Sequence, residues 1–288
     1  MPLSYVEYTI TIPDQFKEPL IKRLTEMGCL GAIESDDALI AYFPGELDTS
    51  AIQTELQLQQ ALLAGSGTGR AHELSFTSAR IPSQDWNESW KKGFQPVDAG
   101  KRFTIIPPWE QPREGRVNLI IDPAMAFGTG HHETTRSCLV LMEKHADAYS
   151  KERFLDLGTG TGILAIAAAK IGYRHVTGID TDLLAVDAAY KNILLNEVPD
   201  VVIRQGSLTE DESVYDVIAA NLISGILVQF ANVLSQHLDS NGISIQSGIL
   251  RGQENEVIHA MEHAGLTLLE KYPDGKWISL VMSHRRKS

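Results

Sequence analysis

The sequence predicts an α/β protein in two parts: a small α+β module, then a larger domain built on a parallel sheet covered on both faces. Three observations carry this. The first 80 residues run as β-α-β-β-α-β. Short apolar runs alternate with helical repeats from Arg153 onward. A glycine-spaced turn joins the first of those runs to a strongly apolar helix. The length of 288 residues agrees, since one domain takes roughly 150.

In the first part, Tyr5–Ile12 alternates apolar and polar residues as a half-buried strand does. Asp14 is expected to cap a helix whose apolar positions are Phe16, Leu20, Ile21, Leu24 and Met27, ended by Gly28. Strands Gly31–Glu34 and Ala38–Phe43 flank Ser35-Asp36-Asp37. Asp48 opens a second helix, Gly65–Gly69 reads as a flexible turn, and Leu74–Ile81 supplies a fourth strand. This order is the split βαβ of ferredoxin-like modules, which suits recognition without naming a ligand. Residues 82–116 read as a linker with a strand at Phe103–Ile106. Its short helix carries Trp86 and Trp90 at i,i+4, either as a contact surface or as packing onto one domain.

From Val117 to residue 288 the pattern is α/β. Strands are expected at Arg153–Leu157, His175–Asp180, Val201–Gln205, Tyr215–Ala220 and Gly242–Gln246. Helices are expected at Thr134–Ala148, Gly162–Ile171, Leu183–Asn196, Ile223–Gln236 and Gly252–His263. Two last strands, Leu266–Tyr272 and Trp277–Ser283, meet at Pro273-Asp274-Gly275, so this hairpin ends the sheet antiparallel.

Composition narrows the functions. With 43% hydrophobic and 22% charged residues the chain is globular. Its net charge of −12 argues against direct DNA binding, which needs a basic face, and favours a basic partner. Cys29 and Cys138 form no metal-binding or disulfide spacing, which fits a reducing cytoplasm. The N-terminus lacks the pattern of a signal peptide, and no apolar run approaches the ~20 residues of a membrane span.

The chemistry gathers at the strand ends. In Phe154-Leu155-Asp156-Leu157-Gly158-Thr159-Gly160-Thr161-Gly162, three alternate glycines let backbone lie against a ligand. GxGxG is one residue shorter than the dinucleotide fingerprint, which favours a nucleoside without phosphates. Asp180, at the tip of the next strand, can accept from both ribose hydroxyls or cap the helix after it. Asn221 ends the strand Asp216–Ala220, where its amide can meet an amine or cap a helix. Upstream, Asp122-Pro-Ala-Met-Ala-Phe127-Gly-Thr-Gly-His-His-Glu-Thr-Thr135 reads as a loop closing over a ligand, with Thr135 offering a hydroxyl. His131, His132 and Glu133 suggest a metal, but adjacent side chains diverge and no third spaced ligand follows, so none is expected. Cys138 lies on an apolar helical face, and Arg285-Arg286-Lys287 reads as a solvated tail.

Together these motifs resemble class I S-adenosylmethionine-dependent methyltransferases, and within them the ribosomal protein L11 methyltransferase family. The likeness spans nearly the whole chain and rests on Asp122–Thr135, Leu155–Ala167, Gly178–Asp180, Ala220–Ile223 and the Asp85-Trp86…Trp90 segment. It departs at His131-His132-Glu133, where the family usually reads Thr-His-Pro, and at Leu222-Ile223, where it usually reads Ile-Leu. The resemblance implies a Rossmann-like, seven-stranded domain preceded by a ferredoxin-like substrate-recognition domain. It implies methylation of lysine side-chain and N-terminal amino groups of ribosomal protein L11 by a monomeric cytoplasmic enzyme without a membrane partner. Its cofactor contacts would fall on Thr135, Gly158, Gly160, Asp180, Asn221 and Phe127, with Asn221 also orienting the amine.

Two other classes are weighed against this one. A methyltransferase for nucleobase or glutamine amide nitrogens would carry Asn-Pro-Pro-Tyr, and Asn221-Leu222-Ile223-Ser224 lacks the prolines and the aromatic ring. A module that holds the cofactor without turnover would not need every motif intact.

Overall fold

The computed structural model describes residues 4–34, 38–65, 74–82, 94–123, 132–208 and 213–284. The expectations for Ser35–Asp37, Ser66–Gly69, Trp86, Trp90, Phe127 and Arg285–Lys287 lie outside these residues. The chain forms two compact units, Met1–Gln95 and Pro96–Ser288.

The first unit comprises β1 (Ser4–Thr11), α1 (Asp14–Glu26), β2 (Gly31–Glu34), β3 (Leu39–Pro44), α2 (Ser50–Gly65) and β4 (Ser75–Pro82). Its sheet has the order β2-β3-β1-β4 with every neighbour antiparallel, the ferredoxin-like arrangement. The two-residue period of β1 turns Val6, Tyr8 and Ile10 to one side. There they pack with Phe43, with Leu20 and Leu24 of α1, and with Ile52 and Leu56 of α2. Tyr8 meets Phe43 edge-on, ring centroids 5.7 Å apart. The start of α1 differs from expectation: Pro13, not Asp14, occupies the N-cap. Its extended φ/ψ of −60°/143° lets its carbonyl accept from the Phe16 amide at 2.9 Å.

The second unit begins with β5 (Val97–Ala99), β6 (Phe103–Ile106) and β7 (Val117–Ile120), a three-stranded sheet in that order. Most of this stretch reads from sequence as linker. Its apolar residues are nonetheless sequestered, because Phe103, Ile105 and Leu119 join the core of the larger domain. After α3 (Glu133–His145) come β8 (Arg153–Leu157), α4 (Ile163–Lys170), β9 (His175–Asp180), α5 (Leu183–Leu195), β10 (Val202–Gln205) and β11 (Tyr215–Asn221). Then follow α6 (Ser224–His237), β12 (Leu238–Leu250), α7 (Glu254–His263), β13 (Leu266–Asp274) and β14 (Trp277–His284).

Seven strands form one sheet in the order β10-β9-β8-β11-β12-β14-β13. The first five are parallel, and β14 runs antiparallel to both of its neighbours. Alternate residues of β8 explain the two covered faces. Phe154 packs with Ala165 and Ile166 of α4 and with Leu139 of α3. Leu155 and Leu157 pack with Leu227 of α6 and Val257 of α7. Some elements depart from expectation: α3 ends at His145 rather than Ala148, β12 extends back to Leu238, which pairs with Tyr215, and Pro273 and Asp274 pair within the last hairpin, so its turn is Gly275-Lys276.

Candidate cofactor site

Strand order reverses between β8 and β11, so their connections diverge and leave a crevice at the carboxyl ends. Register places the sequence-predicted residues there at one level. Leu157 pairs with Ile179 on one side and Ala220 on the other, so Gly158, Asp180 and Asn221 are the next residues of three adjacent strands.

The glycine turn requires its glycines. Gly158 and Gly162 adopt φ of 74° and 81°, in the left-handed region. A Cβ on Gly158 would come 2.5 Å from Leu222 Cδ2, and one on Gly162 would come 3.1 Å from Ala189 Cβ. The Gly158 and Thr159 amides both donate to the Ile179 carbonyl, at 2.9 and 3.0 Å. The Gly160 amide donates to Asp180 Oδ2 at 2.9 Å, and the Asp182 amide donates to Asp180 Oδ1 at 3.0 Å. Asp180 is therefore oriented by backbone and half-buried, with further lone pairs for a ligand. It does not cap α5; that role belongs to Asp182, which accepts from the Leu184 amide at 2.9 Å.

Asp156 supports the turn from below. Its Oδ2 accepts from Thr159 Oγ1 at 2.8 Å and from the Ala165 amide at 3.1 Å. Burial pushes its carboxyl up to about 7; the bonds from Thr159 and Ala165 oppose the shift and nearby Asp180 adds to it. Asp156 is not marked as functional by the sequence pattern of the turn. The available signal was an acid inside the otherwise apolar run Phe154–Leu157.

Asn221 is half-buried, and its Nδ2 donates to Oγ1 of Thr135, a buried residue, at 3.4 Å. It does not cap α6, which starts at Ser224 with Ile223 in the N-cap. His132 proves to be the N-cap of α3: its Nδ1 accepts from the Thr134 amide at 3.3 Å, and its ring meets Trp277 at 5.0 Å. Burial lowers its pKa; Glu133 opposes this, while Lys276 and Arg136 reinforce it. Among the described residues no cluster of His, Cys, Asp or Glu could hold a metal ion. No described helix is long and apolar enough to cross a membrane.

The left-handed Gly158 and Gly162 and the backbone-held Asp180 set open space and a hydrogen-bond acceptor side by side at the strand ends. The half-buried side chain of Asp180 makes the crevice favourable to positive charge. This donor set fits a sulfonium nucleoside; among the described residues the Gly158, Thr159 and Gly160 amides are taken up by Ile179 and Asp180 rather than left for a phosphate. The fold and site together define a class I S-adenosylmethionine-dependent methyltransferase.

Residues 4–285 match the family described as ribosomal protein L11 methyltransferase (PrmA). The chain is 37% identical over 286 residues to a ribosomal protein L11 methyltransferase of Nitratiruptor sp., covering 99% of this chain and 98% of that protein. It is 33% identical over 332 residues to the Chloroflexus aurantiacus protein of the same name, covering 98% of each. A crystal structure of the ribosomal protein L11 methylase of Lactobacillus delbrueckii subsp. bulgaricus superposes with TM-score 0.63 at 31% identity, covering 67% of this chain and all of that one. The chain belongs to the ribosomal protein L11 methyltransferase family.

Proposed function

We propose that this enzyme transfers methyl groups from S-adenosylmethionine to lysine side-chain and N-terminal amino groups of ribosomal protein L11. The observation that carries the reading is the shared level of Gly158, Asp180 and Asn221 across β8, β9 and β11, with Thr135 bonded to Asn221. When bound, the cofactor supplies an electrophilic methyl group on a sulfonium. Asp180 would accept from the ribose hydroxyls, the Gly158–Gly160 backbone would lie against the nucleoside, and Phe127 and Thr135 would contribute further contacts to it. Because Asn221 Nδ2 is directed to Thr135, its Oδ1 is the acceptor for an incoming amine N–H.

The residues must overcome one obstacle. A lysine of pKa ~10.4 is neutral about one time in a thousand near pH 7.4, a handicap of ~4 kcal/mol, and only the free amine carries the attacking lone pair. A dry crevice favours the neutral amine, and fixing both reactants in line can contribute ~7–11 kcal/mol. Orientation by Asn221 therefore suffices without a strong base, and no covalent enzyme intermediate is needed.

Residues 1–81 act in this reading as the recognition domain. The net charge of −12 suits a basic protein substrate and disfavours DNA. In this reading the enzyme is a cytoplasmic monomer without a membrane partner; both cysteines are free thiols, as a reducing compartment leaves them. The test is incubation with labelled cofactor and ribosomal protein L11, with modified amines located by mass spectrometry. Removing residues 1–80 is expected to abolish transfer to that protein while calorimetric cofactor affinity persists. Full transfer by the shortened chain would refute the recognition role.

A further inference from the structure

One fully buried amide outside the set described above touches two parts of the site at once. Asn192, on α5, accepts at Oδ1 from the Asp122 amide at 2.9 Å and donates from Nδ2 to the Thr161 carbonyl at 2.9 Å. Asp122 begins the segment that runs on to Thr135, and Thr161 sits inside the glycine turn. The two meet through this side chain although they are far apart in sequence.

Helical spacing explains how one element reaches both. Ala189, Asn192 and Asn196 fall at i, i+3 and i+7, a single face. Ala189 lies where a Cβ on Gly162 would be 3.1 Å away, so the absence of side chain at Gly162 lets the helix approach the turn. One turn further on, Asn196 accepts from the Ile120 amide at 2.9 Å and donates to the Ile120 carbonyl at 2.6 Å. β7 is the edge strand of its sheet, and Asn196 satisfies both backbone groups of its last residue as a neighbouring strand would, while Asn192 takes the amide of Asp122 just past its end. Asn196 bonds β7 and, at 2.8 Å, the Asn192 carbonyl one helical turn back, with no bond to the glycine turn among the described residues. Asn192 also grips the turn.

We infer that Asn192 is a positioning residue for cofactor binding, a clasp that sets the spacing between the root of the Asp122–Thr135 segment and the glycine turn. The inference rests on the pocket proposed above. A buried amide shared by two loops fixes both, because releasing either leaves a polar group without water or a partner. Asn196 is the control: the same residue type one helical turn on, at the C-cap of α5, also buried, bonded to β7 and to the Asn192 carbonyl, with no bond to the turn among the described residues.

The experiment compares Asn192→Ala, Asn196→Ala and Asp180→Ala by calorimetry with S-adenosylhomocysteine as the probe. Both asparagine variants are expected to lower the melting temperature. Only Asn192→Ala should also raise the dissociation constant about tenfold, as expected for a lost buried hydrogen bond. Equal affinity changes in the two asparagine variants overturn the clasp. Loss of binding in Asp180→Ala with unchanged affinity in Asn192→Ala overturns the clasp and leaves the pocket standing; unchanged affinity in both overturns the pocket with it. Amide exchange in the unsubstituted protein decides the matter even if Asn192→Ala does not fold. The probe should slow exchange of the Asp122 amide about tenfold while leaving that of Ile120 near its original rate, since only the former is tied to the turn. Equal slowing at both, or none, overturns the inference.

Discussion

The two units bury different kinds of atoms. In the first, Lys17 is the one buried polar or charged side chain among the described residues outside the tyrosines, and the rest of the core is aliphatic and aromatic. In the second, Thr134, Thr135, Ser137, Asp156, Thr159, Thr161, Asn192, Asn196, Ser247 and Ser279 are all buried. Many of these sit at the carboxyl ends of the central strands or at the start of α3. Polar burial is unfavourable unless every group is paired. An apolar core needs only shape, whereas a site needs atoms at defined places, and hydrogen-bonded side chains define them. The comparison therefore separates a module that packs from a domain that positions.

The largest expected effect tests positioning. Asp180→Ala removes the acceptor for the ribose and the partner of the Gly160 amide. It is expected to weaken cofactor binding about 100-fold, as for two charge-assisted hydrogen bonds, with the circular dichroism spectrum retained. An unchanged calorimetric affinity would contradict the ribose assignment. Packing is tested next: Leu24→Ala empties a fully buried site in the first unit and should lower its stability by ~3 kcal/mol in denaturant unfolding. Cofactor affinity should not follow, and if it does, the two units are not independent.

Asp156 sharpens the contrast through pH. Its folded-state pKa of about 7 lies above the ~3.9 of an unfolded aspartate, so the fold retains a proton that the unfolded chain releases. Its contribution to stability is full below about pH 4 and is lost as pH rises through about 7. In Asp156→Asn one amide oxygen can accept both bonds that now converge on Oδ2. Relative to the unsubstituted protein, this variant should gain on the order of a few kcal/mol between pH 4 and 8. A stability difference that stays flat over that range would show that the carboxyl does not titrate there. The smallest effect belongs to the first unit. Tyr8 is fully buried and its hydroxyl has no hydrogen-bond partner among the described residues, so Tyr8→Phe should raise stability by ~1 kcal/mol. A lower melting temperature would show that the hydroxyl is satisfied.

The strands, the glycine turn and the acid and amide at the strand ends were legible because each is a local pattern. Alternation at Val6, Tyr8 and Ile10, glycines at Gly158, Gly160 and Gly162, and an acid closing His175–Asp180 follow from backbone period and steric freedom. The cap of α1 was misread because Asp14 is the commoner capping type, yet the extended Pro13 before it already holds the first turn.

What the one-dimensional pattern determined, then, is which residues carry chemistry and in which elements they sit, since propensity and periodicity act over a few neighbours. Only the tertiary structure decided which of them share a level and what holds them there. The β5–β7 sheet, the buried carboxyl of Asp156, the His132 cap against Trp277 and the Asn192 bridge each join residues distant in the chain or depend on exclusion of water. Burial and long-range hydrogen bonding are properties of the packed whole, and no window of sequence contains them.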